Sequence, residues 1–380
     1  MKITGIICEY NPFHLGHQKQ IDTLRRQEDM GIVCLMSGNY VQRGEPAIFD
    51  KMHRAKAAVL CGADLVLELP LTASLSSAEG FAITGVGILG KFCTHLSFGS
   101  ETGDENSLFD TAKALLSPDF PPALRQALDT GLSFPAARQT ALASMGYRDD
   151  LLEKPNDILA VEYCKAILSQ NLSIKPIPIL RQGDYHDTKP NQENPSATAL
   201  RRAMNENMPW ETYIPQKAVA CFKSATIHTM DAGERAILAR LRTMTDSEFE
   251  ALPYGSEGLW RKLMHAVRRC TILEDVLIET KSKRYTRTRI NRMVMCAYLG
   301  ITQDILQTPA PYVRVLGFND RGREILKKAR NNGDFYNIGE TTGHPFEELE
   351  KRASALYGLF SQGILDPPES YKDSRVFYYK

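Results

Sequence analysis

Asn11-Pro12-Phe13-His14-Leu15-Gly16-His17 follows directly on a short apolar run, Ile3–Cys8, and leads into a helical pattern that continues to about Asp29. Strand, turn and helix start in that order form a cradle for phosphate, because unpaired backbone N–H groups and the helix dipole converge on an anion there. Gly16 removes a side chain where a ligand must approach the backbone closely. His14 and His17 lie one turn apart, so both imidazoles share a face and can donate hydrogen bonds to phosphate oxygens. Two other readings compete. An HxxH pair also arises by chance, and Cys8 with both histidines is a donor set that suits zinc. No fourth ligand lies nearby in sequence and an apolar strand carries Cys8, which favours the nucleotide reading.

Outward from this turn, strand-like and helix-like segments alternate. Ile32–Met36, Leu65–Leu69, His95–Phe98 and Ile174–Leu180 read as buried strands, with helices over Lys51–Leu60, Ser77–Leu89 and Asp157–Leu168 between them. Apolar runs joined by amphipathic helices predict an α/β fold, a Rossmann-like parallel sheet with crossover helices. A helical insertion is expected over about 107–150, punctuated by Pro118, Pro121 and Pro122. The division expected is an ATP-binding domain over 1–206 and a mainly helical domain over 207–380, interrupted by one strand-turn-helix at Tyr312–Leu316 and Arg321–Ala329.

Composition narrows the class. The chain has 380 residues, 43% hydrophobic and 24% charged, which excludes a disordered protein, and no apolar run is long enough to cross a bilayer. The first residues run straight into a strand with no signal-peptide pattern, which leads to the expectation of a cytoplasmic location. The eight cysteines are scattered, never as CxxC, and read as reduced buried thiols. A net charge of +1 gives no global signal for nucleic acid, so an RNA surface would be a local patch.

A second chemical signal is Pro195-Ser196-Ala197-Thr198-Ala199-Leu200-Arg201, opening a helix after the last strand of the α/β region. A helix cap explains one hydroxyl; Ser196, Thr198 and Arg201 together make a better anion clamp than a cap needs. Gly85-Val86-Gly87-Ile88-Leu89-Gly90 fits GxGxxG but falls inside a helical stretch, so it reads as a small-residue packing surface. Lys281, Lys283, Arg284, Arg287, Arg289 and Arg292, with Tyr285 interleaved, form the candidate RNA patch. The cations would neutralise phosphates and the tyrosine would stack on a base, with Thr286 and Thr288 breaking the helical pattern. The alternative is a solvated helix face. Lys327, Lys328 and Arg330 are a weaker second candidate.

The HLGH turn and the SATALR helix resemble the paired signatures of the HxGH nucleotidylyl transferases, relatives of class I aminoacyl-tRNA synthetases. The wider wording (Gly5–His17, Met36–Ala47, Phe98–Glu101, Pro155–Leu159 and Lys283–Arg289) resembles the bacterial tRNA(Met) cytidine acetate ligase family over nearly the whole chain. That resemblance implies a ligase that uses ATP, with Mg²⁺ on the triphosphate, to convert acetate to acetyl-adenylate. It further implies acetyl transfer to N4 of the wobble cytidine of elongator tRNA(Met). His14, His17, Ser196, Thr198 and Arg201 would surround the phosphates. The ATP pocket would comprise the segment Ile7–Gln20, with Ile7, Asn11, Pro12, Phe13, Gly16 and Gln20, and then Gly99, Asn156 and Arg181. Gly99 and Arg181 end strands at the carboxyl edge, where open α/β sheets bind ligands, and Asn156 precedes a helix. Arg43 either holds the acid or stabilises its loop. A small-molecule adenylyltransferase and a non-catalytic tRNA-binding protein stand as alternatives. No membrane partner is expected, and the oligomeric state is not legible.

Overall fold

The structure, a computed structural model, describes residues 1–148, 150–181, 195–363 and 375–380. The loop expected between the last α/β strand and Pro195 lies outside the described residues. Among the described residues there are ten strands: β1 (Ile3–Cys8), β2 (Gly31–Ser37), β3 (Tyr40–Val41), β4 (Glu45–Pro46), β5 (Leu65–Leu69), β6 (His95–Ser100), β7 (Lys175–Leu180), β8 (Val313–Asn319), β9 (Phe335–Asn337) and β10 (Phe377–Tyr379). The main sheet runs β10-β8-β5-β2-β1-β6-β7, with β9 sharing the outer edge of β8.

The five strands expected from the sequence are parallel to one another, and the order reverses at β1, which pairs with β2 on one side and β6 on the other. Chain order there turns the first crossovers one way and the later one the other, leaving a crevice at the carboxyl ends of β1 and β6. Alternation along the strands fills both faces. Ile3, Ile7, Val33, Leu35, Leu65 and Leu67 pack into one core, and Ile6, Ile32, Cys34, Met36 and Val66 into the other.

The strand-turn-helix at residue 312 onward belongs to this sheet. β8 lies antiparallel against β5, in register Leu65↔Phe318 and Glu68↔Arg314, with an irregularity at Val66/Leu67. Helices from the C-terminal half build a third core around Leu263, Val276, Met293 and Tyr298, to which Tyr40 and Leu75 also contribute. The helical insertion is three helices, Glu105–Leu116, Phe120–Asp129 and Phe134–Ser144. Gly85 sits in the helix Ala78–Leu89, where a Cβ would lie 2.6 Å from Ile7, as a packing surface requires. All eight cysteines are unbonded, and among the described residues no helix is long and apolar enough to cross a membrane.

Candidate active site

A cavity of about 510 Å³ opens at the crevice, lined by β1, the His14–Gln20 turn, the β3–β4 hairpin, the ends of β6 and β7, and the Ser196–Arg201 helix start. The local chemistry of the turn explains its sequence. His14 is the N-cap of helix α1 (Leu15–Gln27), and His17 occupies the third helical position. The Gly16 N–H donates to Nδ1 of His14 at 3.1 Å, and the His14 N–H donates to Nδ1 of His17 at 3.2 Å. The motif is therefore a capping box made from two imidazoles. Their rings stack with centroids 3.6 Å apart. Gly16 leaves room for this stack, since a Cβ there would crowd the His14 ring at 3.0 Å.

This corrects one detail of the expected cradle. The helix start does not present the Gly16 N–H to an anion, because His14 already accepts it. The ring N–H groups left over from the capping box are those on the far nitrogens. Burial lowers the pKa of His14 well below the usual histidine value, helped by His17, Arg181 and Arg201. His17 is lowered to about 3, mainly by burial and then by Arg181. Both rings are neutral at pH 7, and with each Nδ1 accepting, the proton must reside on Nε2. His14 is 1% exposed, and its Nε2 is buried with no partner among the described residues.

Cationic groups surround the pair. Arg201 donates to the Asn11 carbonyl at 2.8 Å and to Thr198 Oγ1 at 3.1 Å, which ties the helix start at 196–201 to the turn. Ser196 caps that helix by accepting from the Ala199 N–H at 3.4 Å. Arg181 donates to Oδ1 of Asn156 at 3.3 Å, and Asn156 Nδ2 donates to Glu101 at 2.6 Å. Burial pulls both arginines below the ordinary guanidinium range. Asp157 accepts from the Glu101 and Thr102 N–H groups and from the Ser100 and Thr102 hydroxyls. This latch fixes the turn after β6. Gly99, just before it, has open cavity beside it: a Cβ would meet nothing within 4 Å.

The structure thus gathers Ile7, Asn11, His14, Gly16, His17, Gln20, Gly99, Asn156, Arg181, Ser196, Thr198 and Arg201 around one cavity. Pro12 and Phe13 are not in the lining. Phe13 is fully buried against Tyr10, ring centroids 4.7 Å apart, and supports the turn from behind. Asn11 serves partly as a brace, its Oδ1 accepting from the Ile48 N–H at 2.8 Å.

Glu9, inside the expected segment Ile7–Gln20, and Gln42 and Glu45, in the loop after β2, also line the cavity, whereas Tyr163 and Thr288 were not expected there. Glu9 has a structural part in that lining. Its Oε1 accepts from the Gln42 N–H at 2.9 Å and holds the hairpin loop over the cavity. Buried Arg54 reinforces that corner by donating to the carbonyls of Glu9, Ser37, Gly38 and Phe49. Thr288 comes from the C-terminal half, at the start of the helix Arg287–Leu299. That helix touches the hairpin so closely that a Cβ on Gly44, at φ +74, would lie 2.3 Å from the Arg292 nitrogen.

The candidate RNA patch divides. Thr286 caps the helix and Thr288 lies within it, so the two threonines start a helical segment instead of interrupting one. Arg287 pairs with Glu274, and Arg289 donates to the Tyr254 carbonyl at 2.9 Å. Arg292 is buried and donates to the Gln42 carbonyl at 3.2 Å. In place of the stacking platform expected at Tyr285, the ring is 9% exposed, with Arg289 over it and its hydroxyl donating to Glu257. Lys281, Lys283 and Arg284 are exposed.

The family model for HIGH nucleotidyl transferases matches residues 1–367. A tRNA(Met) cytidine acetate ligase of Clostridium perfringens is 34% identical, with 96% of each chain covered. One from Thermosipho melanesiensis is 37% identical over 87% of this chain and 82% of its own. The chain belongs to the HIGH nucleotidyl transferases, in the group of the tRNA(Met) cytidine acetate ligases. The apo crystal structure of Thermotoga maritima TmcAL superposes with a TM-score of 0.90 at 29% identity, covering 100% of this chain and 99% of that one. A second crystal form of that protein, bound with alpha-thio ATP, gives 0.87 at 28% identity. As a HIGH nucleotidyl transferase the chain has its two histidines, two arginines and serine-threonine helix at the switch point of the sheet, where this fold binds nucleotides.

Proposed function

We propose that this protein activates acetate with ATP and transfers the acetyl group to N4 of the wobble cytidine of elongator tRNA(Met); that its relatives are named tRNA(Met) cytidine acetate ligases supports this reading. The observation that carries the ATP half is the fixed tautomer of His14 and His17 beside Arg181 and Arg201. Two neutral imidazoles that keep their Nε2–H and two guanidinium groups belong to residues lining one cavity, which supports a site where charge accumulating on the phosphates is met by groups already close by. A buried N–H without a partner costs about 1–3 kcal/mol. A purely RNA-binding protein would gain nothing from leaving the His14 Nε2 in that state.

In the first step an acetate oxygen attacks the α-phosphorus, the bond to the β-phosphate oxygen breaks, and pyrophosphate leaves. His14 and His17 hydrogen-bond the phosphate oxygens, Arg201 and Arg181 neutralise the leaving pyrophosphate, and Ser196 and Thr198 orient it. Among the described residues no cluster of three or more acidic, histidine or cysteine side chains is placed to hold a metal. Mg²⁺ would accompany the triphosphate and supply charge neutralisation. In the second step the cytosine amine attacks the acetyl carbonyl, the acyl–phosphate C–O bond breaks, and AMP leaves with loss of one amine proton. The target base is in a loop, so it can unstack into the cavity without opening a duplex. Apolar lining from Ile7, Phe81, Phe98, Leu159 and Ile179 supports a buried base and keeps water from the adenylate. A cytoplasmic location, where ATP and tRNA meet, is part of this reading.

The test is nucleoside mass analysis of tRNA(Met) after incubation with enzyme, ATP and isotopically labelled acetate. Labelled acetyl on one cytidine is expected. Label on no nucleoside, with ATP consumed, would reject tRNA as the acceptor.

A further inference from the structure

The helix Leu259–Arg269 has two distinct faces. Leu259, Leu263, Met264, Ala266 and Val267 are buried in the C-terminal core. Arg261, Lys262, His265, Arg268 and Arg269 are exposed. Their spacing puts all five on one stripe, about 12 Å long at 1.5 Å per residue. Exposed Lys281 and Lys283 extend it, because Lys262 Nζ donates to the Lys281 carbonyl at 2.8 Å and joins the helix to that loop. Arg268 and Arg269 are matched by Asp246 and Glu279. Arg261, Lys262, Lys281 and Lys283 make no ion pair among the described residues. Arg261 lies over the Trp260 ring, 4.9 Å from its centroid.

The stripe leads to the cavity. The loop that carries Lys281 and Lys283 ends at Thr286, the cap of Arg287–Leu299, and Thr288 in that helix lines the cavity. Arg289 reaches back to the Tyr254 carbonyl and to Ser256 Oγ, in the turn before Leu259. Stripe and cavity wall are thus braced against each other. A stem-loop RNA fits this arrangement: its phosphates form a row of negative charge, and one unstacked loop base extends beyond them.

The other basic cluster, Lys327, Lys328 and Arg330, is exposed but lies elsewhere. Its helix starts at the amino edge of the sheet, where Arg321 pairs with Asp29 just before β2 and a Cβ on Gly322 would collide with the Asp64 carbonyl before β5. None of the residues of that helix lines the cavity.

We propose that the stripe Arg261, Lys262, His265, Lys281 and Lys283 is the docking surface for the backbone phosphates next to the modified base. This rests on the tRNA half of the function proposed above. The test compares two full-length variants. One carries Arg261→Gln, Lys262→Gln, Lys281→Gln and Lys283→Gln; the control carries Lys327→Gln, Lys328→Gln and Arg330→Gln. Binding of a tRNA(Met) transcript is followed by fluorescence anisotropy across a salt series, alongside acetate-dependent ATP–pyrophosphate exchange without tRNA.

The stripe variant is expected to bind at least about tenfold more weakly, with a salt slope lower by roughly three to four, about one for each phosphate no longer neutralised. Its exchange activity should equal wild type, which shows that it folds, and the control should retain wild-type affinity and slope. Equal losses in both variants, or no loss in the stripe variant, overturn the surface while wild-type tRNA modification stands. A wild-type enzyme that exchanges ATP but neither binds nor modifies tRNA overturns the acceptor assignment and the surface together.

Discussion

Replacing Gly99 with leucine should separate stability from ligand binding in opposite directions. Gly99 is the fifth residue of β6, it lines the cavity, and a Cβ there meets nothing within 4 Å. A side chain can therefore start from this position without a clash at Cβ and extend into the cavity. Glycine inside a strand costs about 0.5–1 kcal/mol relative to a residue with less backbone freedom, so Gly99→Leu should leave stability unchanged or raise it by up to that amount. The four carbons of the leucine side chain, each counted at about the 30 Å³ that a water molecule takes in the liquid, claim roughly 120 Å³ from a cavity of about 510 Å³. A nucleotide that fills the cavity must then be overpacked, at about 1–3 kcal/mol, which is roughly 5- to 150-fold in dissociation constant. Thermal unfolding of the apo protein and calorimetric titration with a non-hydrolysable ATP analogue read the two effects separately. Unchanged ATP affinity would refute the assignment of Gly99 to the nucleotide pocket. A destabilisation above about 1 kcal/mol would refute the claim that the space beside it is open.

The histidine pair predicts an acid limb in apo stability. Both pKa values are depressed in the folded state, His17 to about 3, so the unfolded chain takes up protons first as pH falls below about 6.5. Stability is fully present above that value and declines below it, by up to about 1.4 kcal/mol per pH unit for each histidine. Unfolding midpoints at pH 7.5, 6.5 and 5.5 should fall for wild type and flatten in a His14→Gln/His17→Gln variant; parallel curves would contradict the buried-neutral assignment. Asp157→Ala removes the acceptor for two backbone N–H groups and two hydroxyls, so denaturant unfolding should show a loss of roughly 2–6 kcal/mol. A loss below about 1 kcal/mol would mean water replaces the latch. Gly44→Ala forces a Cβ to within 2.3 Å of the Arg292 nitrogen at a positive φ, and should cost about 2–5 kcal/mol. A neutral result in the same assay would show that the hairpin and the helix do not touch.

The parallel half of the fold was legible because each of its strands is a short apolar run between a helix and a turn residue, and alternation has a period that needs no knowledge of partners. The same holds for the histidine turn and the Ser196 helix, whose residues are local to one backbone feature. What the sequence did not disclose is set by packing across long separations. β10 is three residues, Phe377–Tyr379, and is a strand only because β8 offers its edge. Arg287, Arg289 and Arg292 resemble an exposed cationic run, but helical geometry turns them toward Glu274, Tyr254 and Gln42. The exposed charges sit instead on Leu259–Arg269, whose basic residues are diluted in sequence by the apolar residues of its other face. Thr288 reaches the cavity through helix–hairpin packing that no local pattern encodes.

The measurement that bears most directly on the central claim is ATP–pyrophosphate exchange, with acetate present or omitted, in wild type and in His17→Asn. An asparagine amide can still accept from the His14 N–H but loses the Nε2–H donor. Acetate-dependent exchange in wild type that falls at least about 100-fold in the variant, the usual scale for one missing donor to developing charge, is the predicted result. Exchange that ignores acetate, or that survives the loss of this donor, would contradict the account.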